Sequence, residues 1–318
     1  MGLPIQPILS GVALPKVLPS KMIRRNTMLD IANLIVYVNG EFVPGPEARI
    51  SVFDRGLLYG DAIFEGIREY SGHVFKLDEH LDRLYDSAQI TAIKIPLTKA
   101  QMKDVILQLL RRNKLIDSHI RPIVTRGERV MGVDPRGDLT PTVIVLAHPW
   151  LPFLGEEGIT MKTVSTRRIP PQSLDSRVKH IGYLNGIMAK LEANAAGAGE
   201  ALLLDMNGFV AETPGANFMI IKNGAVLSPT TLNILDGVTR RTVMTLAREA
   251  GYEAGEKNLT LGDVYTADEA VVCGTGAEIV PVREVDGRRI GTEMPGPITR
   301  HLIRAFKELV QREGTPVY

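Results

Sequence analysis

Short apolar runs joined by two-residue turns of restricted composition recur along this 318-residue chain. LIVYV is followed by Asn39-Gly40 and then EFVP, and AIFEGIREY by Ser71-Gly72 and then HVFKL. Asn-Gly accepts the positive φ of a tight hairpin turn, so these stretches predict antiparallel strands. Further Asn-Gly pairs stand at 207–208 and 223–224, and IVPVREVDGRRIG (279–291) reads as another hairpin. Parallel strands need crossovers of about a dozen residues or more, which such turns do not provide. No G-x-G-x-x-G follows a strand, which argues against a dinucleotide-binding sheet.

Helical patterns lie between the strands. Leu77, Leu81, Leu84, Tyr85 and Ala88 recur at helical spacing, with Asp78 as the expected N-cap. Thr98 and Gln101 form a capping box ahead of QMKDVILQLLRRN. HIRPIVTRG and PTVIVLAHP read as buried strands at the centre of a sheet. HPWLPFLGEEG (148–158), rich in Pro and Gly, marks a domain boundary. Beyond it come the strand ITMKTVSTRR, the helix IGYLNGIMAKLEANAAGA, the helix TRRTVMTLAREAG, the strand DEAVVCG and a terminal helix, ITRHLIRAFKELVQ. The expected organisation is therefore two α+β domains, at 34–147 and 159–318, with mixed sheets and packed helices.

Charge narrows the partners. The 37 basic and 36 acidic residues nearly cancel, so nothing favours nucleic acid or an anionic membrane, and no apolar run is long enough to span a bilayer. A small-molecule partner is expected. The single cysteine, Cys273, leaves no intrachain disulfide and fits a reducing compartment, the cytoplasm by default. Residues 1–33 carry Pro4, Pro7, Pro15 and Pro19 and no acid before Asp30. They read as a flexible extension, with Met28 as an alternative start. A transit peptide is disfavoured because the prolines break the helix it needs.

Lys179 stands among apolar neighbours in SRVKHIGYLNG, just before a helix. Loss of hydration there disfavours the ammonium form and makes the amine a nucleophile, although most lysines so placed simply extend into solvent. Glu212, in AETPGAN, ends a short strand. Gly237, Val238 and Thr239 open a helix whose free N–H groups suit an anion, and Gly274, Thr275 and Gly276 form a small-residue loop that can present backbone donors. Arg83, in EHLDRLYDS, is by itself an ordinary helical charge. No metal is implied.

Taken in order, YGDAIFEGIR (59–68), EHLDRLYDS (79–87), HIRPIVTRG (119–127), MGVDP (131–135), VKHIGYLN (178–185), the Glu212 segment, LDGVTR (235–240) and CGTGAEIVPV (273–282) resemble the fold type IV pyridoxal-phosphate aminotransferases. This is the D-amino acid aminotransferase-like fold, and the likeness is strongest to its branched-chain members. It implies that Lys179 forms the Schiff base with pyridoxal 5'-phosphate and shuttles the proton. It further implies that Tyr183 bonds the phenolic oxygen, that Glu212 faces the pyridine nitrogen, and that Arg83, Val238, Thr239 and Thr275 hold the phosphate, beside Gly237 and Gly274. Tyr59, Phe64 and Gly66 would line the side-chain pocket. Arg121 would lie near the substrate carboxylate, with backbone donors from Thr275 and Gly276. Met131 and Val133 would reach the neighbouring subunit, which implies a homodimer.

His119 departs from the resemblance, standing where many branched-chain enzymes have tyrosine. It is expected to change charge near neutrality. The implied activity is ping-pong transamination between L-leucine, isoleucine or valine and 2-oxoglutarate. Alternatives on the same fold are a D-amino acid or (R)-amine transaminase and, further off, an aminodeoxychorismate lyase or a non-catalytic cofactor-binding protein.

Overall fold

The computed structural model describes residues 33–129, 132–150 and 158–318. The N-terminal extension up to residue 32, Met131 and most of the expected interdomain loop lie outside the described residues.

The first hairpin is present: β1 (Ile35–Val38) pairs with β2 (Glu41–Pro44) across Asn39 and Gly40, both at positive φ. A short helix α1 (Arg55–Tyr59) follows, capped by the Asp54 side chain and ended by Gly60 at φ 69°. The expected single strand AIFEGIREY is broken into β3 (Ala62–Phe64) and β4 (Ile67–Tyr70). Both pair in one register with β6 (Ser118–Thr125), Phe64 facing Ile123 and Ile67 facing Ile120. The interruption falls opposite Pro122, which has no N–H to donate to the ladder.

Ser71 and Gly72 turn the chain into β5 (His73–Val74) and then α2 (Leu77–Thr91). Asp78 is not the N-cap of α2: Lys76 caps it in the left-handed region, and Asp78 lies in the first turn, where a carboxylate complements the helix dipole. The Thr98–Gln101 capping box does start α3 (Lys99–Asn113). With β7 (Val143–Pro149), β6 forms the centre of an antiparallel sheet ordered β4-β6-β7-β1-β2. Leu81, Leu84, Ile106 and Leu109 of the two helices pack on Ile63, Ile67, Ile120 and Val145 of the sheet.

The second half begins with β8 (Ile159–Arg167), α4 (Leu184–Ala195) and β9 (Glu200–Leu204). The hairpin β10 (Asn217–Lys222) and β11 (Ala225–Ser228) turns at Asn223-Gly224. Then come α5 (Val238–Glu249), β12 (Ala254–Glu256), α6 (Leu261–Tyr265), β13 (Glu269–Gly274), β14 (Glu278–Val285), β15 (Arg288–Arg289) and α7 (Pro297–Arg312). Their sheet runs β12-β11-β10-β13-β14-β8-β9 and mixes antiparallel pairs with the parallel pairs β8/β9, β8/β14 and β11/β12.

The last strand, β16 (Thr315–Pro316), returns to the first sheet and pairs with β5. Tyr70 and Phe75 of the first half pack with Phe306 of α7. The two halves therefore share buried apolar surface and fix a cleft between their sheets.

Candidate active site

Lys179 is held by its backbone before its side chain enters the argument. Phe64 N–H donates to Lys179 C=O at 2.9 Å and Ile181 N–H to Ala62 C=O at 3.1 Å, so the segment lies along β3 like an added strand. Lys179 N–H also donates to Ser87 Oγ on α2. The ammonium is thereby delivered into the cleft, 3.4 Å from Tyr183 Oη and 4.7 Å from the Phe64 ring centroid. Tyr183, just ahead of α4, meets Phe64 edge to face at 5.5 Å.

Across the cleft, Glu212 is buried between β9 and β10. Its carboxylate accepts from Arg168 Nε at 2.8 Å, Asn217 Nδ2 at 3.0 Å and Leu235 N–H at 3.2 and 3.3 Å. Burial pushes this carboxyl up from its ordinary value, and the Arg168 charge and the Leu235 N–H act against that rise. Neither Arg168 nor Asn217 stands out in the sequence: each matters only through a fold contact with a residue distant along the chain.

Arg83 reaches the third side from α2. Its Nε and Nη2 bond the two carboxylate oxygens of Glu65 at 2.6 and 2.9 Å, and its Nη1 bonds Asp236 C=O at 2.8 Å. Glu65 is wholly buried and also bonds His80 Nδ1 at 2.8 Å. Burial works against the Glu65 charge, but Arg83 and His80 outweigh it and hold the carboxyl below its usual range. Burial also lowers His80, and the Glu65 carboxylate beside it acts against that fall. Beside Arg83, Gly237 caps α5, and Val238 and Thr239 of its first turn, whose N–H groups lack intrahelical partners, line the cavity. A Cβ at Gly237 would stand 2.0 Å from Asn217 Oδ1, so the loop closes this tightly only with glycine.

A cavity of about 660 Å³ is lined by Lys179, Tyr183, Glu212 and Arg83 together with Gly237, Val238 and Thr239. Gly274, Thr275 and Gly276, after β13, border it, as do Phe64, Gly66, His119 and Arg121. Tyr59 and Val133 do not line it within one chain. Tyr59 Oη instead accepts from Gly132 N–H at 2.8 Å, and both side chains are exposed. Met131 lies outside the described residues.

One reading of the substrate wall needs correction. His119 does not change charge near neutrality: burial, then the charges of Arg121, His148, Arg68 and Lys179, push it down to about 3. Its ring packs against His148 at 5.4 Å between centroids. Gly66 lies on the same wall, where a Cβ would stand 3.2 Å from His119 Nε2. Trp150, which does not stand out in the sequence as a site residue, lines the cavity with its indole centroid 3.7 Å from the buried Arg68 guanidinium.

The cavity thus joins an amine, a buried carboxylate with its own counterion, and an anion-binding corner of guanidinium and helix N–H groups. An apolar wall with cationic and imidazole groups completes it. The family model for amino-transferase class IV matches residues 62–285, and the chain belongs to that family. It is 52% identical over 89% of its length to 99% of a provisionally named branched-chain-amino-acid aminotransferase of Methanocaldococcus jannaschii. It is 40% identical over 87% of its length to 92% of a branched-chain-amino-acid aminotransferase of Pseudomonas aeruginosa. Among solved structures it is similar to the branched-chain aminotransferase of Thermoproteus uzoniensis with norvaline, at 35% identity and a TM-score of 0.86, covering 90% of this chain and 99% of that one.

Proposed function

We propose that this chain is a pyridoxal 5'-phosphate-dependent aminotransferase that moves the amino group of L-leucine, isoleucine or valine to 2-oxoglutarate in a ping-pong cycle. The observation that carries this reading is the disposition of Lys179, Glu212 and the Arg83–α5 corner on three sides of one cavity. The residues fit the cofactor: Arg83 and the α5 N–H groups suit its phosphate, Glu212 its pyridine nitrogen, Tyr183 its phenolic oxygen and Lys179 its aldehyde. When bound, it supplies an electron sink for the bond broken at the substrate α-carbon.

Lys179 Nζ would take the proton from that carbon and pass it to the cofactor carbon C4′, and in the second half of the cycle would move a proton the opposite way, to the α-carbon of the acceptor. Phe64, Gly66 and Trp150 give an apolar wall suited to a branched chain. Arg121 and His119, with Thr275 and Gly276 N–H, offer donors for carboxylates. His119 serves there as a neutral imidazole.

The finer assignments follow from the same reading. Residues 34–147 form the substrate-side domain and 159–318 the cofactor-side domain, with β16 returning across the boundary. A second copy of the chain covers the exposed stripe of Leu184, Ile187, Met188 and Leu191 on α4 and the exposed Leu57 and Tyr59 of α1. Residues spaced i, i+3, i+4 and i+7 share one helix face, as a packed interface requires. Tyr59 and Val133 then serve the partner's cavity. The buried free thiol of Cys273 accords with a cytoplasmic enzyme, and among the described residues no helix is long and apolar enough to cross a membrane.

The test is a product assay of the holoenzyme with 2-oxoglutarate and single amino donors. Glutamate should form with the three branched L-amino acids well ahead of L-alanine. Faster turnover of D-leucine or (R)-1-phenylethylamine would overturn the substrate assignment.

A further inference from the structure

Arg68, on β4, is only 3% exposed, yet it is not among the residues that line the cavity and the proposed chemistry makes no use of it. Its Nη2 donates to Asp117 Oδ1 at 3.0 Å, and its Nη1 stands 3.5 Å from Glu278 Oε1. Nε and Nη1 are buried without a hydrogen-bond acceptor. The Asp117 carboxylate is 57% exposed, and an ion pair with it would form as well at the surface, where no donor would be stranded. What burial adds is contact with two rings: Arg68 Cζ lies over Trp150, 3.7 Å from its centroid, and over Tyr70, 4.4 Å from its centroid. A cation over an aromatic face gains most out of water, and a planar guanidinium stacks where an ammonium does not.

The ring so held is a wall of the cavity. One residue ties it down twice, because Trp150 N–H donates to Asp117 C=O at 3.0 Å while the Asp117 carboxylate holds Arg68. The indole also meets the second half of the chain, where a Cβ on Gly276 would stand 4.0 Å from Trp150 Cη2. Two residues further on, Glu278 faces Arg68 from a backbone at φ 55°, which a residue with a side chain adopts only at a cost. Arg68 therefore stands between the side-chain wall and the end of the loop at 274–277.

We propose that Arg68 is a positioning residue for substrate selectivity: without meeting substrate, it sets the Trp150 indole against the Gly276 side of the pocket, at the spacing a branched side chain fills. This rests on the aminotransferase reading above. Substrates that reach the indole depend on Arg68, and alanine, too short to reach it, does not.

Trp150 is the only tryptophan in the chain, so the indole emission of the holoenzyme reports on this wall alone. The binding probe is 4-methylpentanoate, which is leucine without its amino group. In Arg68→Met the emission maximum of the ligand-free holoenzyme should move to longer wavelength as the indole leaves its stack for water. The dissociation constant of 4-methylpentanoate and the KM for L-leucine should each rise about tenfold, with kcat little changed. The kinetics with L-alanine should stay those of the wild type. Arg68→Lys keeps the charge beside Asp117 and Glu278 but not the flat face, and should behave as Arg68→Met does.

An emission maximum unchanged in both variants, or equal losses with L-leucine and L-alanine, would show that Arg68 serves the fold and not the pocket; either overturns the proposal. Should Arg68→Met not fold, Arg68→Lys carries the test by itself, and wild-type emission and KM in that variant sink the idea. A wild-type enzyme that does not turn over leucine at all would overturn the function, and this proposal with it, and would be evident before any variant is compared.

Discussion

Arg168 Nε stands 2.8 Å from Glu212 Oε1, and this guanidinium is the charge that works most against the upward pull of burial on the Glu212 carboxyl. In the proposed role, Glu212 must be ionised to hold a proton on the cofactor's ring nitrogen. Burial alone drives it toward the neutral acid.

Arg168→Met should therefore push the Glu212 carboxyl further up. The acidic limb of the pH–rate profile for the L-leucine half-reaction moves to higher pH. At neutral pH the rate falls about tenfold, equivalent to ~1.4 kcal/mol. Stopped-flow single turnovers between pH 5 and 9 give both quantities.

Lys179→Ala removes the amine and leaves the fold in place, because the segment is held by the backbone bonds of Phe64, Ile181 and Lys179 itself. Turnover should fall by at least about 10³-fold while the melting temperature stays near that of wild type. Activity assays and calorimetry on the same preparation separate the two.

The Lys179 segment, Glu212, Arg83 and the start of α5 were legible because each lies in a short motif whose order along the chain is distinctive. The residues that hold them were not. Glu65 reads as one more acidic residue in a strand until the fold sets it against Arg83 and His80, and Arg168 meets Glu212 from 44 positions away. Local signals served the fold in the same way. The Thr98–Gln101 box and the Asn39-Gly40 turn were readable because the bonds that make them lie within a few residues. The break in AIFEGIREY was not, because it depends on Pro122 across the ladder.

Gly237→Ala tests the packing behind the proposed phosphate corner. Its backbone, at φ −69°, accepts any residue, so the penalty comes from the added methyl, which must displace Asn217 Oδ1 and with it a donor to Glu212. A loss of about 1–3 kcal/mol is expected from overpacking, measured by urea unfolding of the apoenzyme, together with weaker cofactor binding by titration.

Three groups lower stability on the acid side, while Glu69, which burial pushes up to about 7, and Glu212 act in the opposite direction. The folded-state values of Glu65, His80 and His119 all lie below their ordinary ones, so the unfolded chain binds protons that the folded chain refuses. Their stabilisation is complete above about pH 6.5 for the histidines and pH 4.5 for Glu65, and is lost as pH falls toward the folded values. For His119, with a folded value of about 3, the slope reaches about 1.4 kcal/mol per pH unit below 6.5. His119→Phe should flatten the decline of melting temperature between about pH 6 and pH 4 relative to wild type.

The most direct measurement is the visible spectrum of the holoenzyme, recorded before and after stoichiometric L-leucine, with D-leucine and (R)-1-phenylethylamine in parallel cuvettes. The account predicts a yellow cofactor band that L-leucine discharges within the dead time of manual mixing, with release of one equivalent of 2-oxo acid, while the other two amines leave it unchanged. A band discharged by D-leucine or the amine in preference to L-leucine, or no band at all after cofactor is added, would contradict it.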